Sequence, residues 1–114
     1  MKIETFEDIL SWQKARVLTI SIYNIFKETN DFGFKNQIER ASVSIMNNIA
    51  EGFERRTNKE FKHFLYVAKG SCAEVRSMLY LAKDLEKIED SKFKELYDSS
   101  VEISKLLSGL IKTL

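Results

Sequence analysis

Residues 37–52 read QIERASVSIMNNIAEG, and this stretch predicts a helix whose two sides differ in chemistry. At about 100° per residue, one side becomes an apolar stripe. The stripe consists of Ile38, Ala41, Ile45 and Ile49. Further apolar residues on its flanks are Val43, Met46, Ala50 and Phe53. Together they cover about 200° of the helix, whereas one core needs roughly 100°. We therefore expect this helix to pack on two sides, against its own core and against something else.

The opposite side of the same helix carries five polar residues in one sector about 80° wide. They are Gln37, Arg40, Ser44, Asn48 and Glu51. A solvated helix face favours Lys and Glu pairs four residues apart, and this sector has none. Serine and asparagine are also poor helix formers unless their side chains bond to something specific. The sector is either a solvated face or a hydrogen-bonded network at a helix–helix or subunit contact. The network hypothesis predicts that Arg40 and Glu51 are at least partly buried.

The composition indicates one domain, residues 1–114, with a formal net charge of +1. No apolar run reaches 18 residues and no charged-then-apolar leader opens the chain, so we expect a cytoplasmic protein that makes no contact with a membrane. A single cysteine cannot form an internal disulfide, which agrees with a reducing compartment. The charge is uneven, because residues 35–83 hold nine basic and five acidic side chains, a net charge of +4. The modest basic excess therefore belongs to the two middle helices.

Turn and capping signals divide the chain into four helices. Thr5, followed by acidic residues, favours a helix start. Gly33 closes a short turn in which it can take a positive φ. Thr57 and Glu60 form a capping box that begins the longest helix. The predicted helices run from residue 6 to about 29, from the turn to residues 52–56, from residue 57 to about 86, and from Asp90 or Ser91 onward.

The last two helices repeat apolar residues every seven positions, as bundle helices do. In the third helix the seam is Phe61, Leu65, Ala68, Cys72, Val75, Leu79 and Ala82. In the fourth it is Phe93, Leu96, Ser100, Ile103, Leu107, Leu110 and Leu114. Gly70 and Ser71 cost the third helix about 1 kcal/mol of propensity, which predicts the close approach of another helix there. The pattern predicts an all-α, up-down-up-down antiparallel four-helix bundle.

Few residues in the sequence suit catalysis or metal binding. The single His63 and single Cys72 cannot supply the usual zinc ligand sets. A di-iron bundle site needs Glu-x-x-His pairs on two helices, whereas Glu60 and His63 would make one half-site. Cys72, inside the seam, is expected to be a buried, unreactive thiol. We therefore expect no enzyme activity, no metal site and no cofactor.

The sequence contains more residues that suit nucleic-acid binding than residues that suit catalysis. Basic side chains along the third helix and the loop before it are Arg55, Arg56, Lys59, Lys62, His63, Lys69, Arg76 and Lys83, with Tyr66 and Tyr80 among them. Cations that contact phosphates and aromatics that stack on bases characterise sequence-tolerant binders. The first of these cations also flank the capped start of a helix, whose free N–H groups favour anions. The candidate nucleic-acid residues are Arg55, Arg56, Lys59, Lys62, Lys69 and Arg76. The alternative is a solvated outer helix face that binds nothing.

The central stretch resembles the signature of a bacterial four-helix-bundle family. The matching residues are Arg40-Ala41, Ser44-Ile45 and Asn48-Ile49-Ala50-Glu51-Gly52. The resemblance continues through residues 12–15, Tyr23, Arg55-Arg56, residues 64–71, Glu74, Arg76 and Leu79. This family is named for proteins encoded in intervening sequences of large-subunit ribosomal RNA, and it includes the accessory variability proteins of diversity-generating retroelements. The chain departs from the pattern where Met46 replaces a usual proline and where the first loop lacks one, which leaves the angle between the first two helices open.

The resemblance implies closed rings of five bundles. For the retroelement members it also implies a basic surface that engages RNA and a reverse transcriptase. We therefore expect a homopentameric, non-enzymatic accessory protein that binds RNA or DNA. A structural or protein-interaction scaffold without nucleic-acid binding is the alternative.

Overall fold

Four α-helices form an antiparallel bundle in the computed structural model, which describes residues 2–114. A 3₁₀ turn at Phe6–Asp8 precedes them. The helices are α1 Leu10–Ile25, α2 Phe32–Phe53, α3 Asn58–Asp84 and α4 Asp90–Lys112. Each helix packs beside the next, α4 closes the bundle against α1, and the backbones of the diagonal pairs stay apart. The predicted four-helix bundle is confirmed.

Aliphatic side chains from all four helices fill the core, and the predicted seams point into it. On α3 the seam from Leu65 to Ala82 is fully buried, with Phe61 partly buried at its start. On α4 the buried seam includes Ser100, whose Oγ donates to the carbonyl of Tyr97 at 2.8 Å. Cys72 lies inside the core, and burial raises the pKa of its thiol to about 12. The thiol therefore stays protonated and acts as a small apolar side chain.

The first helix is shorter than predicted, because it begins at Leu10 and ends at Ile25. The carboxylate of Asp8 accepts from the backbone N–H groups of Glu4 at 2.9 Å and Thr5 at 3.1 Å, which closes a separate turn. These two bonds lower the pKa of the Asp8 carboxyl, and the bond from Glu4 has the larger effect. Ile9 is then extended, with φ −79° and ψ 119°, so the chain leaves the 3₁₀ turn before α1 starts. A side chain that satisfies free N–H groups locally competes with continuation of the helix.

The turn before α2 also differs from the prediction. Asp31 caps α2, since its Oδ1 accepts from the N–H of Phe34 at 3.1 Å. This bond, together with Lys87, whose Nζ is 3.3 Å from the Asp31 Oδ2, lowers the pKa of Asp31. Gly33 lies in the first helical turn and has a negative φ, so the positive φ expected of it is wrong.

The turn between α3 and α4 contains a residue with a positive φ that the sequence did not predict. Glu86 has a φ of 56° there. Asp90 or Ser91 was predicted to cap α4, but the N-cap is Glu89, one residue before Asp90 and two before Ser91, and its side chain makes no capping bond.

The second neighbour expected for α2 belongs to the same chain, because α2 packs against both α1 and α3. The wide apolar side of α2 is therefore covered by its own bundle, and only Phe32 at its first position is a strongly exposed large apolar residue. The uncovered apolar side chains lie mainly on the diagonal pair α1 and α3. They are Leu10, Val17, Ile20 and Tyr23 on α1, and Tyr66, Val67, Tyr80 and Leu81 on α3.

Two glycines on facing helices differ in their surroundings. A Cβ added at Gly52 would lie 2.7 Å from the Cβ of Phe64 and 3.1 Å from the ring of Phe61, so α2 and α3 require glycine there. A Cβ at Gly70 would meet no heavy atom of the chain within 4 Å. Within the chain, the close helix approach predicted at residues 70–71 is therefore found at Ser71, which is buried against α2, and not at Gly70.

Candidate nucleic-acid interface

A cation occupies every seventh position of α3 over most of its length. These four residues, called the cation row here, are Lys62, Lys69, Arg76 and Lys83. Seven residues make nearly two helical turns, so successive members drift by only about 20° and stay on one side. The row extends about 31 Å along the helix axis. The Nζ of Lys83 lies 4.8 Å from the ring centroid of Phe93, which places the row on the side of α3 that borders α4.

The charges of the cation row are not neutralised within residues 2–114. No ion pair in that range involves any of its members. Lys62, Lys69 and Arg76 also have no acidic residue three or four positions away on α3. Arg76 is half-buried, and its Nη1 has no hydrogen-bond partner among the described residues. An unpaired guanidinium nitrogen removed from water is costly, so an anion that approaches this side chain gains more than at a solvated lysine.

Aromatic rings adjoin the row at the α3–α4 seam. Tyr80, between Arg76 and Lys83 in sequence, is 50% exposed. Its ring centroid lies 5.3 Å from that of Phe93 and 5.5 Å from that of Tyr97. The neighbouring Tyr97 hydroxyl raises the pKa of Tyr80, so Tyr80 is a neutral phenol at physiological pH. The seam thus offers an uncharged aromatic surface beside unpaired cations, the combination that single-stranded nucleic acids require.

The structure separates Arg55 from the other candidate residues. Its Nη2 lies 2.9 Å from the Oε1 of Glu51, and its guanidinium lies 4.7 Å from the ring centroid of Phe64. Phe64 packs towards Gly52, so Arg55 belongs to the α2 side of α3. Glu51 lies four positions before Arg55, and this ion-pair spacing was a signal in the sequence that our prediction missed. His63 is exposed.

Arg56 and Lys59 are exposed near the start of α3, and neither forms an ion pair within the part of the chain that the structure describes. They lie beside the first turn of α3, which Thr57 caps by accepting from the N–H of Glu60 at 3.1 Å. They can extend the cation row at its Lys62 end. The structure therefore places three of the six candidate residues, Lys62, Lys69 and Arg76, in one row on α3 and adds Lys83 to it.

The polar sector of α2 divides into a bonded part and an exposed part. Ser71 of α3 donates to the Oγ of Ser44 at 2.9 Å, and Asn48 donates to the same oxygen at 3.0 Å. Gln37, Arg40 and Glu51 are exposed, so the burial expected of Arg40 and Glu51 is not found in the single chain. Gln37 and Arg40 lie at the start of the sector and Glu51 lies at its end. Gln37 and Arg40 instead line an open cleft of about 500 Å³ with Glu74.

Residues 2–114 lack the features of two other kinds of site, a metal site and a membrane-spanning helix. They contain no group of three or more His, Cys, Asp or Glu side chains placed to hold a metal ion. No helix in this range combines the length and apolar character that a membrane crossing requires.

Comparison with known families matches residues 7–109 to the sequence model described as 23S rRNA-intervening sequence protein. The chain belongs to this family. A similar solved structure is that of a protein with unknown function from the S23 ribosomal protein family of Bacteroides thetaiotaomicron. It shares 27% sequence identity with this chain, and the alignment covers 90% of this chain and 99% of that one with a TM-score of 0.85. No curated protein sequence matches the chain.

Proposed function

We propose that this 23S rRNA-intervening sequence protein is a non-enzymatic accessory protein that binds RNA along the cation row. The observation that carries the proposal is the set of unpaired cations at seven-residue spacing on α3, bordered by Tyr80 and Tyr97. Each phosphate neutralised by such a cation releases condensed counterions, which drives binding without sequence preference. The exposed ring of Tyr80 supplies a surface on which a base can stack.

The row of one copy is short, and the chain as a whole is near neutral. Repetition of the row by self-association would raise the effective concentration of cations near one RNA strand. The proposed function therefore includes a homo-oligomer, with the ring of five taken from the family resemblance.

The uncovered apolar side chains support such an oligomer. Val17 and Ile20 on α1 are 63% and 53% exposed, and Val67 and Leu81 are exposed on α3. Because α1 and α3 are diagonal in the bundle, their outer faces point in roughly opposite directions. An interface between α1 of one copy and α3 of the next is heterologous, and such contacts generate closed rings when the rotation closes.

Retention of RNA on a filter at about 50 mM salt tests the proposal. The test variant carries Lys62→Gln, Lys69→Gln and Arg76→Gln. The matched control loses the same charge from exposed positions of α4, through Lys94→Gln, Lys105→Gln and Lys112→Gln. The wild type and the control should retain RNA, whereas the test variant should lose most of it. Equal retention by all three proteins would contradict binding along the row.

A scaffold that assembles without nucleic acid is the second candidate. The exposed apolar positions on α1 and α3 favour it, because they suit protein contacts whatever the cations do. For the retroelement members the resemblance implies a protein partner as well, a reverse transcriptase, which is engaged through the basic surface. An oligomer that retains neither RNA nor DNA at about 50 mM salt would favour the scaffold.

A further inference from the structure

Two adjoining cavities lie at the end of the bundle where α1 and α3 begin and α4 ends. The larger has a volume of about 320 Å³ and the smaller of about 170 Å³. Both are lined by Ile3, Ile9 and Leu110, which form a shared apolar wall. Ile3 belongs to the segment before the 3₁₀ turn and is 41% exposed.

The smaller cavity contains an unsatisfied polar group. Ser11 lines it and is only 2% exposed, and its Oγ has no hydrogen-bond partner within residues 2–114. Ser11 lies in the first turn of α1, so the helix supplies no carbonyl one turn earlier for it. The carbonyl of Glu7, four positions before, accepts instead from the Nε2 of Gln13 at 2.8 Å. A buried hydroxyl without a partner is costly, and a polar atom brought into the cavity would remove that cost.

The larger cavity combines aromatic walls with a positive mouth. Phe53 and Phe61 line it, with ring centroids 5.9 Å apart in an edge-to-face arrangement. Arg56 and Asn58 line it as well, beside the first turn of α3. The N–H groups of that turn point out of the helix and favour anions, and Arg56 forms no ion pair among the described residues.

We propose that these cavities hold one nucleotide, with its base between Ile9 and Phe61, its phosphate on Arg56, and a base-edge atom hydrogen-bonded to Ser11. A flat ring suits the aromatic walls, the unpaired hydroxyl requires a ligand that is polar at its buried end, and the mouth requires an anion. A simple fatty acid meets only the last requirement. This inference rests on the proposed function where the nucleotide belongs to RNA, and a free nucleotide has the same chemistry.

Adenosine 5′-monophosphate is titrated into the full-length protein while NMR follows the methyl signals of Ile9 and Leu110. These signals should shift with saturation. Arg56→Gln should weaken binding about tenfold, because a charge-assisted hydrogen bond is lost. Lys27→Gln, which removes an exposed cation of the loop at the far end of α1, should leave the affinity unchanged. Leu110→Phe should fill the shared wall and block binding.

Ser11→Ala separates a binding role from a structural one. It removes a buried, unpaired hydroxyl, so it should raise the melting temperature of the free protein. The same change should weaken nucleotide binding several-fold, because the base edge loses its partner. An unchanged affinity in Ser11→Ala would overturn the assignment of the base edge to this residue.

A short RNA and its abasic counterpart distinguish the two sources of nucleotide. Weaker binding of the abasic strand assigns the cavity to an RNA base if the difference disappears in Leu110→Phe, because that variant leaves stacking on Tyr80 intact. Binding of the monophosphate, with a strand difference that Leu110→Phe does not change, assigns the cavity to a free nucleotide. No methyl shift at about 10 mM monophosphate, together with strand affinities that Leu110→Phe leaves unchanged, overturns the proposal. The variant with Lys62→Gln, Lys69→Gln and Arg76→Gln should still bind the monophosphate. The nucleotide site and RNA binding along the cation row can therefore be refuted independently.

Discussion

Gly52 is the position where a single added methyl group should be felt most clearly. Its Cβ would lie 2.7 Å from the Cβ of Phe64, so Gly52→Ala must push α2 and α3 apart. Overpacking of this kind costs about 1–3 kcal/mol, which exceeds the roughly 1 kcal/mol that alanine gains over glycine in a helix. Urea unfolding should therefore show Gly52→Ala to be destabilised.

Gly109 of α4 is the matched control, since a Cβ there meets no heavy atom of the chain within 4 Å. Gly109→Ala should raise the free energy of unfolding by up to about 1 kcal/mol. If Gly52→Ala were stabilised to the same extent, the close contact between α2 and α3 would be refuted.

Cys72 should make stability fall as the solution becomes alkaline. Burial raises the pKa of its thiol from 9.0 to about 12 in the folded state, so the unfolded chain loses this proton first. Because the unfolded state then binds fewer protons, the free energy of unfolding decreases between roughly pH 9 and 12, by at most about 1.4 kcal/mol per pH unit. Below that range the thiol contributes no pH dependence. Melting temperatures at pH 8 and pH 10 should differ more for the wild type than for Cys72→Ala, and equal differences would contradict a buried thiol.

Helix pairing could be predicted from the sequence where one pattern dominated. The seven-residue repeat from Leu65 to Ala82 left a single face for the core, and that face is buried.

The start of α1 could not be predicted, because the side-chain bonds of Asp8 and continuation of the helix differ by only about 1 kcal/mol. The neighbours of α2 could not be predicted either. A wide apolar side indicates a second contact but not whether that contact belongs to the same chain. The contacts with α1 and α3 settle that point.

If α1 of one copy binds α3 of the next, a variant with a damaged α1 face should still bind a variant with a damaged α3 face. Ile20→Glu on α1 and Val67→Glu on α3 each place a charge on one exposed apolar face, so each variant alone should be monomeric. A mixture should form a dimer, because the intact α3 face of the first variant meets the intact α1 face of the second. Light scattering after size exclusion measures these masses. A wild-type protein of 13.3 kDa at micromolar concentration would contradict self-association.

For the molecule as a whole, the sequence indicated the residues of the candidate interface but not their grouping. The seven-residue spacing of Lys62, Lys69 and Arg76 was visible, and the structure places them on one side of α3. Arg55 forms an ion pair with Glu51, whereas Lys62, Lys69 and Arg76 form none among the described residues. The two adjoining cavities could not have been foreseen, because they depend on the extended Ile9 and on the position of Ile3.

The dependence of RNA affinity on salt concentration tests binding along the cation row most directly. For single strands, the logarithm of the binding constant should fall linearly with the logarithm of the salt concentration, with a slope of about −0.7 per neutralised phosphate. The wild type should give a steep slope. The variant with Lys62→Gln, Lys69→Gln and Arg76→Gln should give a shallower one, while the matched α4 control should keep the wild-type slope. No RNA retained at about 50 mM salt, or a slope that this variant leaves unchanged, would contradict the cation row as the RNA-binding surface.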